Sequence, residues 1–473
     1  MTRKNASKET IALLIKNARS SILDYEELLK NTELIKARIS TFEEAVYLQL
    51  ILELLSGSLL ALYEVCSDLK NMLSTDSLYV KRFHMQMINL SQYEWCKYLV
   101  GRDQGGVIPK LINQIKEFNK ETIELESILQ QLILLGKNCD AGLRNITAHY
   151  DNPNTMYSKL ISLNDEDVYA KRIGDQLLIH DMIFKYVFPV LQTITEALCA
   201  NKQESTFIKS VASNTIIDVI NEKIAEAFHA KEELNFLVTD QIANAWENIE
   251  SHKKNYTVCE KAIEYFTDKQ ADCTRFSEIR ALEELRWEAS FMQYDLVCSI
   301  NTYLKADSNA ERSISFMRAY RIKTGALSHL YGYNEIYNEK SIWKKIKAVP
   351  EFSSIPQSNE IEDELIALTT NFDPTKRNLY THYREDVKLN ISARWKCANE
   401  MNHVKELMQM LRLVILYKKI NHFLHSLIKA MSLSEKQKID EMLKPILKIK
   451  ELSSKYNYPD KVELYDKLLD WLS

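Results

Sequence analysis

A chain of 473 residues with only 9 glycines and 8 prolines has few places to turn. Glycine supplies left-handed backbone and proline interrupts regular ladders, so their scarcity demands long, regular elements. Leu, Ile, Lys, Glu and Ala fill most windows, and these residues favour helix. The expected fold class is all-α. The length suits two to four domains, or one fold present twice.

Apolar periodicity predicts helices over residues 8–35, 41–73, 78–100, 108–136 and 181–201, then over 208–231, 237–265, 275–305, 310–331 and 391–431. The stretch 151–178, with DNPN and LNDED, is the least regular. It reads as a loop or as a short extended pair around AKRIGDQLLIHD. Residues 349–360, with Pro350, Pro356 and a serine cluster, read as the clearest loop. The tail reads as two short helices with a turn near Asn457–Asp460.

The second half echoes the first at an offset of about 232 residues. Phe42-Glu-Glu is answered by Phe276-Ser-Glu, Val65-Cys66-Ser67 by Val297-Cys298-Ser299, and Arg82-Phe83 by Ser315-Phe316. Tyr98-Leu99-Val100-Gly101 is answered by His329-Leu330-Tyr331-Gly332. Each match is slight, but their shared order and near-constant spacing predict a duplicated helical unit. The expected domains are 1–205, 206–433 and a C-terminal helical extension, 434–473.

The sharpest repeated feature is Arg-Asn-x-x-x-His-Tyr, at 144–150 and again at 377–383. The chain holds no other Arg-Asn and no other His-Tyr pair. One Arg–His pair at this spacing is near chance; two copies with shared neighbours, in register with the duplication, are not. Asn145 and His149 are four residues apart and share a helix face, as do Asn378 and His382. Arg and His stand about 140° apart on an ideal helix, so they converge where Arg sits at the helix start. Asp140 and Asp373 precede each Arg by four residues, where an acid caps a starting helix.

These side chains suit cleavage of RNA. A histidine near neutral pH takes a proton from the 2′-hydroxyl, and that oxygen attacks the adjacent phosphorus. Arginine's fork grips the phosphate and stabilises the charge that develops on it. Asparagine orients the imidazole or binds a phosphate oxygen. One His and one Arg make a thin site; two facing copies supply an acid and a base across one phosphate.

The motif resembles the R-x4–6-H signature of the HEPN superfamily, which often carries Asn directly after the Arg, as in Arg144-Asn145 and Arg377-Asn378. The resemblance implies helical bundles, and a metal-independent endoribonuclease whose motifs meet at a dimer interface. Type VI CRISPR effector nucleases pair two such domains in one chain. By the same resemblance, the two halves form an internal pseudo-dimer. The implied catalytic residues are Arg144, Asn145, His149, Arg377, Asn378 and His382. A toxin or antiviral-defence role, an RNA substrate and a restraining protein partner follow as expectations. The resemblance is specific over about seven residues in each half. The chain is short and not basic, which gives no support to a guide-RNA channel.

Other chemistry finds little footing. Net charge is −4 and the pI near 6.3, so nucleic acid would be met by a local patch. No phosphate-cradling glycine loop, nucleophile elbow or H-E-x-x-H occurs, and no cofactor or metal is expected. The eight cysteines (66, 96, 139, 199, 259, 273, 298, 397) include no C-x-x-C and read as reduced thiols. The N-terminus lacks a signal-peptide pattern and no membrane span is expected, so the expected location is cytoplasmic. His84, beside Lys81 and Arg82, reads as part of a basic groove or of a solvated helix face. His422 and His425 read as metal ligands or, more ordinarily, as core or half-exposed residues. His180 reads as structural. Glu43, Glu44 and Glu278 read as partners of the motif arginines or as surface charges. The opposing reading is a non-catalytic helical interaction or RNA-binding module in which the motifs are structural. Oligomeric state is left open.

Overall fold

The structure, a computed structural model, describes residues 46–101, 105–117, 121–143, 152–164, 166–199, 231–268, 273–332, 339, 341–370 and 401–455, with scattered helical residues between 13 and 35. Every regular element among them is a helix. These are α1 (Val46–Leu73), α2 (Leu78–Val100), α3 (Val107–Glu117), α4 (Ile123–Asn138), α5 (Pro153–Ser162), α6 (Glu166–Cys199) and α7 (Lys231–Asp268). There follow α8 (Thr274–Leu304), α9 (Asn309–Leu330), α10 (Ile342–Lys347), a 3-10 turn (Pro350–Ser354), α11 (Ser358–Thr369) and α12 (His403–Lys455).

Two compact units emerge. The first comprises Met1–Trp246, Phe291–Ala326 and Phe372–Arg412, and so draws on both halves of the sequence. Its core is α1 laid along α2, with α3, α4 and α6 against them. Helix α1 is long and apolar enough to cross a membrane by length and composition. Two thirds of that apolar window is buried here, with Leu52, Leu55, Leu59 and Leu62 all in the core. Burial of four leucines on this scale contributes about 2 kcal/mol each.

The second unit comprises Glu247–Ser290, Leu327–Asn371 and Leu413–Ser473. Trp343 of α10 meets Phe352 and Phe423 edge-on or tilted, with ring centroids 5.6 and 5.7 Å away. Ile346, Leu365, Ile420 and Leu424 complete that core.

Local chemistry sets the helix starts. Asn152 accepts from the Thr155 N–H, with Pro153 in the first turn of α5. Ser341 accepts from Lys344, Ser308 from Glu311 and Asn402 from Lys405. Two glycines end helices with left-handed backbone, Gly101 after α2 (φ 77°) and Gly332 after α9 (φ 84°).

Three expectations change. The described part of the irregular stretch 151–178 holds two helices, α5 and the start of α6, and the expected extended pair lies inside α6. The helix expected over 108–136 is broken into α3 and α4, where Thr122 turns its hydroxyl to Glu126 at 2.8 Å. The helix expected to stop at 431 runs on to Lys455, across the expected 433/434 boundary. The 205/206 boundary, Phe42 and the turn near 457–460 lie outside the described residues.

Candidate functional site

All six motif residues, Arg144, Asn145, His149, Arg377, Asn378 and His382, lie outside the described residues, as does Asp373. What the structure does describe is the stem that carries the chain to the first motif.

Helix α4 ends as the Cys139 N–H reaches the carbonyls of Leu135 and Gly136. Asp140 then accepts from the Leu143 N–H at 2.9 Å and caps a new helical segment, 141–143, just before Arg144. Gly142 keeps this cap open, because a Cβ there would come within 3.1 Å of Asp140 Oδ1. Lys159 donates to the other carboxylate oxygen at 2.6 Å. Burial pushes the Asp140 carboxyl up, yet Lys159 and the N–H groups of Leu143 and Gly142 outweigh it and hold the group below its usual range.

Asp140 is also held by its backbone. Asn89 of α2 accepts from the Asp140 N–H at 2.9 Å and donates to the Asp140 carbonyl at 3.0 Å. Behind Asn89 stands Arg172 of α6, buried at 7% exposure. Its Nη2 is shared among Asn89 Oδ1 (3.0 Å), Gln92 Oε1 (2.7 Å) and Cys139 Sγ (3.2 Å). The guanidinium lies 5.1 Å over the Tyr169 ring, whose hydroxyl burial pushes up to about 12. The network continues from Gln92 to Gln176 (2.9 Å) and to His180 (3.2 Å), which stacks on Trp95 at 4.3 Å. Arg172, Gln176 and His180 recur every fourth residue, so one face of α6 supplies the whole row. Burial drives His180 down to about 3, which makes it a neutral core histidine, as expected.

A second tie joins α9 to α12. Lys323 donates to Gln409 at 2.9 Å and to Glu406, and lies 4.9 Å over the Tyr320 ring. Burial pushes the Lys323 ammonium down, with Glu406 opposing.

The polar residues of α2 carry a further cluster that the sequence reading missed. His84 is neither in an open groove nor on a solvated face: it is 1% exposed and bonds Asp68 at 3.0 Å. Arg318 reaches the same Asp68 oxygen at 2.6 Å and the Glu64 carbonyl at 3.1 Å. Ser91 donates to Glu64 at 2.7 Å. Nearby in sequence, Lys70 pairs with Glu311 at 2.5 Å and Asp307 at 3.0 Å. Arg82 lies 5.3 Å over the Trp246 ring. Alternation of charged and apolar residues along KRFHMQMINLSQ suggests a wet face. Partners from distant parts of the chain, Arg318 and Trp246 among them, make it a dry one.

In the second unit His252 lies 3.3 Å from Glu283, which Arg286 also grips at 2.7 Å. Burial pushes the imidazole down despite that carboxylate. His425, on an exposed position of α12, is pushed down by partial desolvation and then by Arg286. No group of three or more His, Cys, Asp or Glu side chains suited to a metal ion occurs among the described residues. Glu278 pairs with Arg275 in its own helix at 2.7 Å, while Glu43 and Glu44 lie outside the described residues.

Compared with known protein families, with curated proteins and with solved structures, the chain matches none.

Proposed function

We propose that the protein is a metal-independent endoribonuclease with one composite site, built from Arg144, Asn145 and His149 of one half and Arg377, Asn378 and His382 of the other. The observation that carries this reading is the twofold occurrence of Arg-Asn-x-x-x-His-Tyr in register with a whole-chain repeat. One histidine removes the 2′-hydroxyl proton and the 2′-oxygen bonds to phosphorus. The 5′-oxygen leaves with a proton from the other histidine, while the two guanidinium groups offset the growing phosphorane charge. The product ends are a 2′,3′-cyclic phosphate and a 5′-hydroxyl.

Helix boundaries support the duplication. Leu78 and Asn309, which open α2 and α9, are separated by the same interval as Leu73 and Leu304, which close α1 and α8. The two left-handed glycines, Gly101 and Gly332, keep that interval. So do Asn138 and Thr369, the last residues of α4 and α11, each shortly before an aspartate that leads into a motif. On this reading the two halves are an internal pseudo-dimer acting on RNA in the cytoplasm as a toxin or antiviral-defence effector, restrained by a protein partner.

The test is cleavage of a varied RNA pool at neutral pH by full-length protein. His149→Ala and His382→Ala are each expected to lower the rate at least 100-fold with the fold intact, and EDTA to leave it unchanged. An uncut pool, or 3′-hydroxyl ends, would sink the proposal. A structural reading of the motifs draws on the Asp140 stem, which is capped and ion-paired as an ordinary helix start would be. It requires the same two substitutions to lower the melting temperature with no activity to lose.

A further inference from the structure

We infer that Arg172 is a positioning residue for the first motif, acting through Asn89 on the Asp140 cap, and that Lys323 forms the corresponding helix joint in the second half. This inference rests on the ribonuclease reading above.

Arg172 touches the groups that fix the segment leading into residues 144–150. Its Nη2 bonds Cys139, the residue preceding the cap, and orients Asn89. An asparagine amide can turn over by half a rotation and still look satisfied in shape; a cation at Oδ1 forbids that, because it requires the carbonyl oxygen on its own side. With Oδ1 so fixed, Nδ2 points to the Asp140 carbonyl and Oδ1 also receives the Asp140 N–H. The chain therefore leaves α4 in one orientation, and the segment 141–143 starts along one axis.

The two halves carry a comparable joint away from the motifs. Setting Glu166, the first described residue of α6, on His403 of α12, an interval six residues longer than that between Leu78 and Asn309, places Arg172 on Gln409 and Tyr169 on Glu406. Aligning α2 with α9 at Leu78 and Asn309 sets Gln92 on Lys323. The structure joins the matched pairs in both halves, Arg172 to Gln92 at 2.7 Å and Lys323 to Gln409 at 2.9 Å. In both, the cation also meets the residue three positions earlier on the long helix, Tyr169 or Glu406. Each half thus has a buried cation bonded to an amide at this matched pair of positions, with the cation on opposite helices, and in the first half the same cation also bonds Asn89. Such a joint is far more specific than two amphipathic helices happening to touch. An apolar pair would serve stability as well as a buried cation, whose return is a fixed orientation.

The test uses the full-length protein, single-turnover RNA cleavage, RNA affinity and hydrogen exchange at residues 139–143. Arg172→Gln is expected to lower the cleavage rate at saturating RNA at least tenfold, with Kd within twofold. Exchange at 139–143 is expected to quicken at least tenfold while α1 is unchanged. Arg172→Lys, which keeps the charge but not the fork, should fall between, and serves if the glutamine variant does not fold. The triple variant Q92K/Y169E/R172Q, which installs the second half's joint but leaves Asn89 without its guanidinium, is expected to stay as slow as Arg172→Gln; a rate within threefold of wild type would overturn the route through Asn89. A role in stability alone predicts a lower melting temperature with rate per folded molecule unchanged, and that result overturns the inference. So does an unchanged exchange pattern. If His149→Ala and His382→Ala abolish cleavage while Arg172→Gln does not slow it, the inference fails and the nuclease reading stands. If wild-type protein cuts no RNA, the nuclease reading and the catalytic part of this inference fail together, and exchange alone then decides whether Arg172 holds the segment.

Discussion

Asn89 holds Asp140 by both its backbone N–H and its carbonyl, at 2.9 and 3.0 Å, across 51 residues of sequence. A single side chain from α2 thereby fixes the point where α4 stops and the motif-bearing segment starts. Asn89→Leu removes both bonds and leaves Arg172 facing an apolar group. The expected loss is about 2 kcal/mol of stability, read from the denaturant midpoint, because two partly buried backbone groups lose their partner. Asn89→Asp, which keeps the acceptor for Arg172, should cost less.

His180 makes the first unit acid-sensitive. Its folded value, about 3, lies well below the unfolded value of about 6.5. The neutral ring therefore contributes stability that is whole above pH about 6.5 and drains away as pH falls towards 3. His180→Phe retains a ring to stack on Trp95 and has no proton to take up. Its melting temperature should decline less between pH 6.5 and 4 than that of wild type; parallel curves would contradict the assignment.

Neither left-handed glycine should tolerate a side chain, and Gly101 has the least room for one. Gly332→Ala meets the general penalty of φ 84°, about 1 kcal/mol. Gly101→Ala meets the same penalty and a collision, since its Cβ would lie 2.1 Å from the Gly106 nitrogen. We expect Gly101→Ala to cost about 2 kcal/mol or more, measured by thermal unfolding against wild type.

Arg318→Met leaves Asp68, wholly buried, with only His84 beside the oxygen that Arg318 held. Stripping one partner from a buried pair costs about 3 kcal/mol or more. Asp68→Asn combined with Arg318→Met should cost less than the sum of the two single changes. A double-mutant cycle that comes out additive would show that the two groups do not act on each other.

The helical character was legible because so few glycines and prolines can only mean long helices, and the bounds of α8 and α9 follow the apolar periodicity within a residue. The stretch 151–178 was misread because its turn-forming residues are real, as Asn152 and Pro153 show, but they start helices. The partners that hold α6 helical through Gly174 lie on α2, out of reach of any local pattern. His84 and Arg82 were misread for a related reason: their counter-groups lie on other helices, Asp68 on the preceding one and Trp246 far along the chain. The duplicated motif was plain from residue identity alone, and so was Asp140 as a cap. Arg172 carried no such signal, since one arginine among helical neighbours looks like surface charge.

The opposite seating of the cation in the two joints makes each half a keyed fit to itself. If the stretch bearing Lys323 stood in place of α2, an ammonium would face the guanidinium of Arg172; in the reverse exchange two amides would meet with no cation at all. Exchange of these segments between the two halves is therefore disfavoured at the joint, and each long helix selects its own mate.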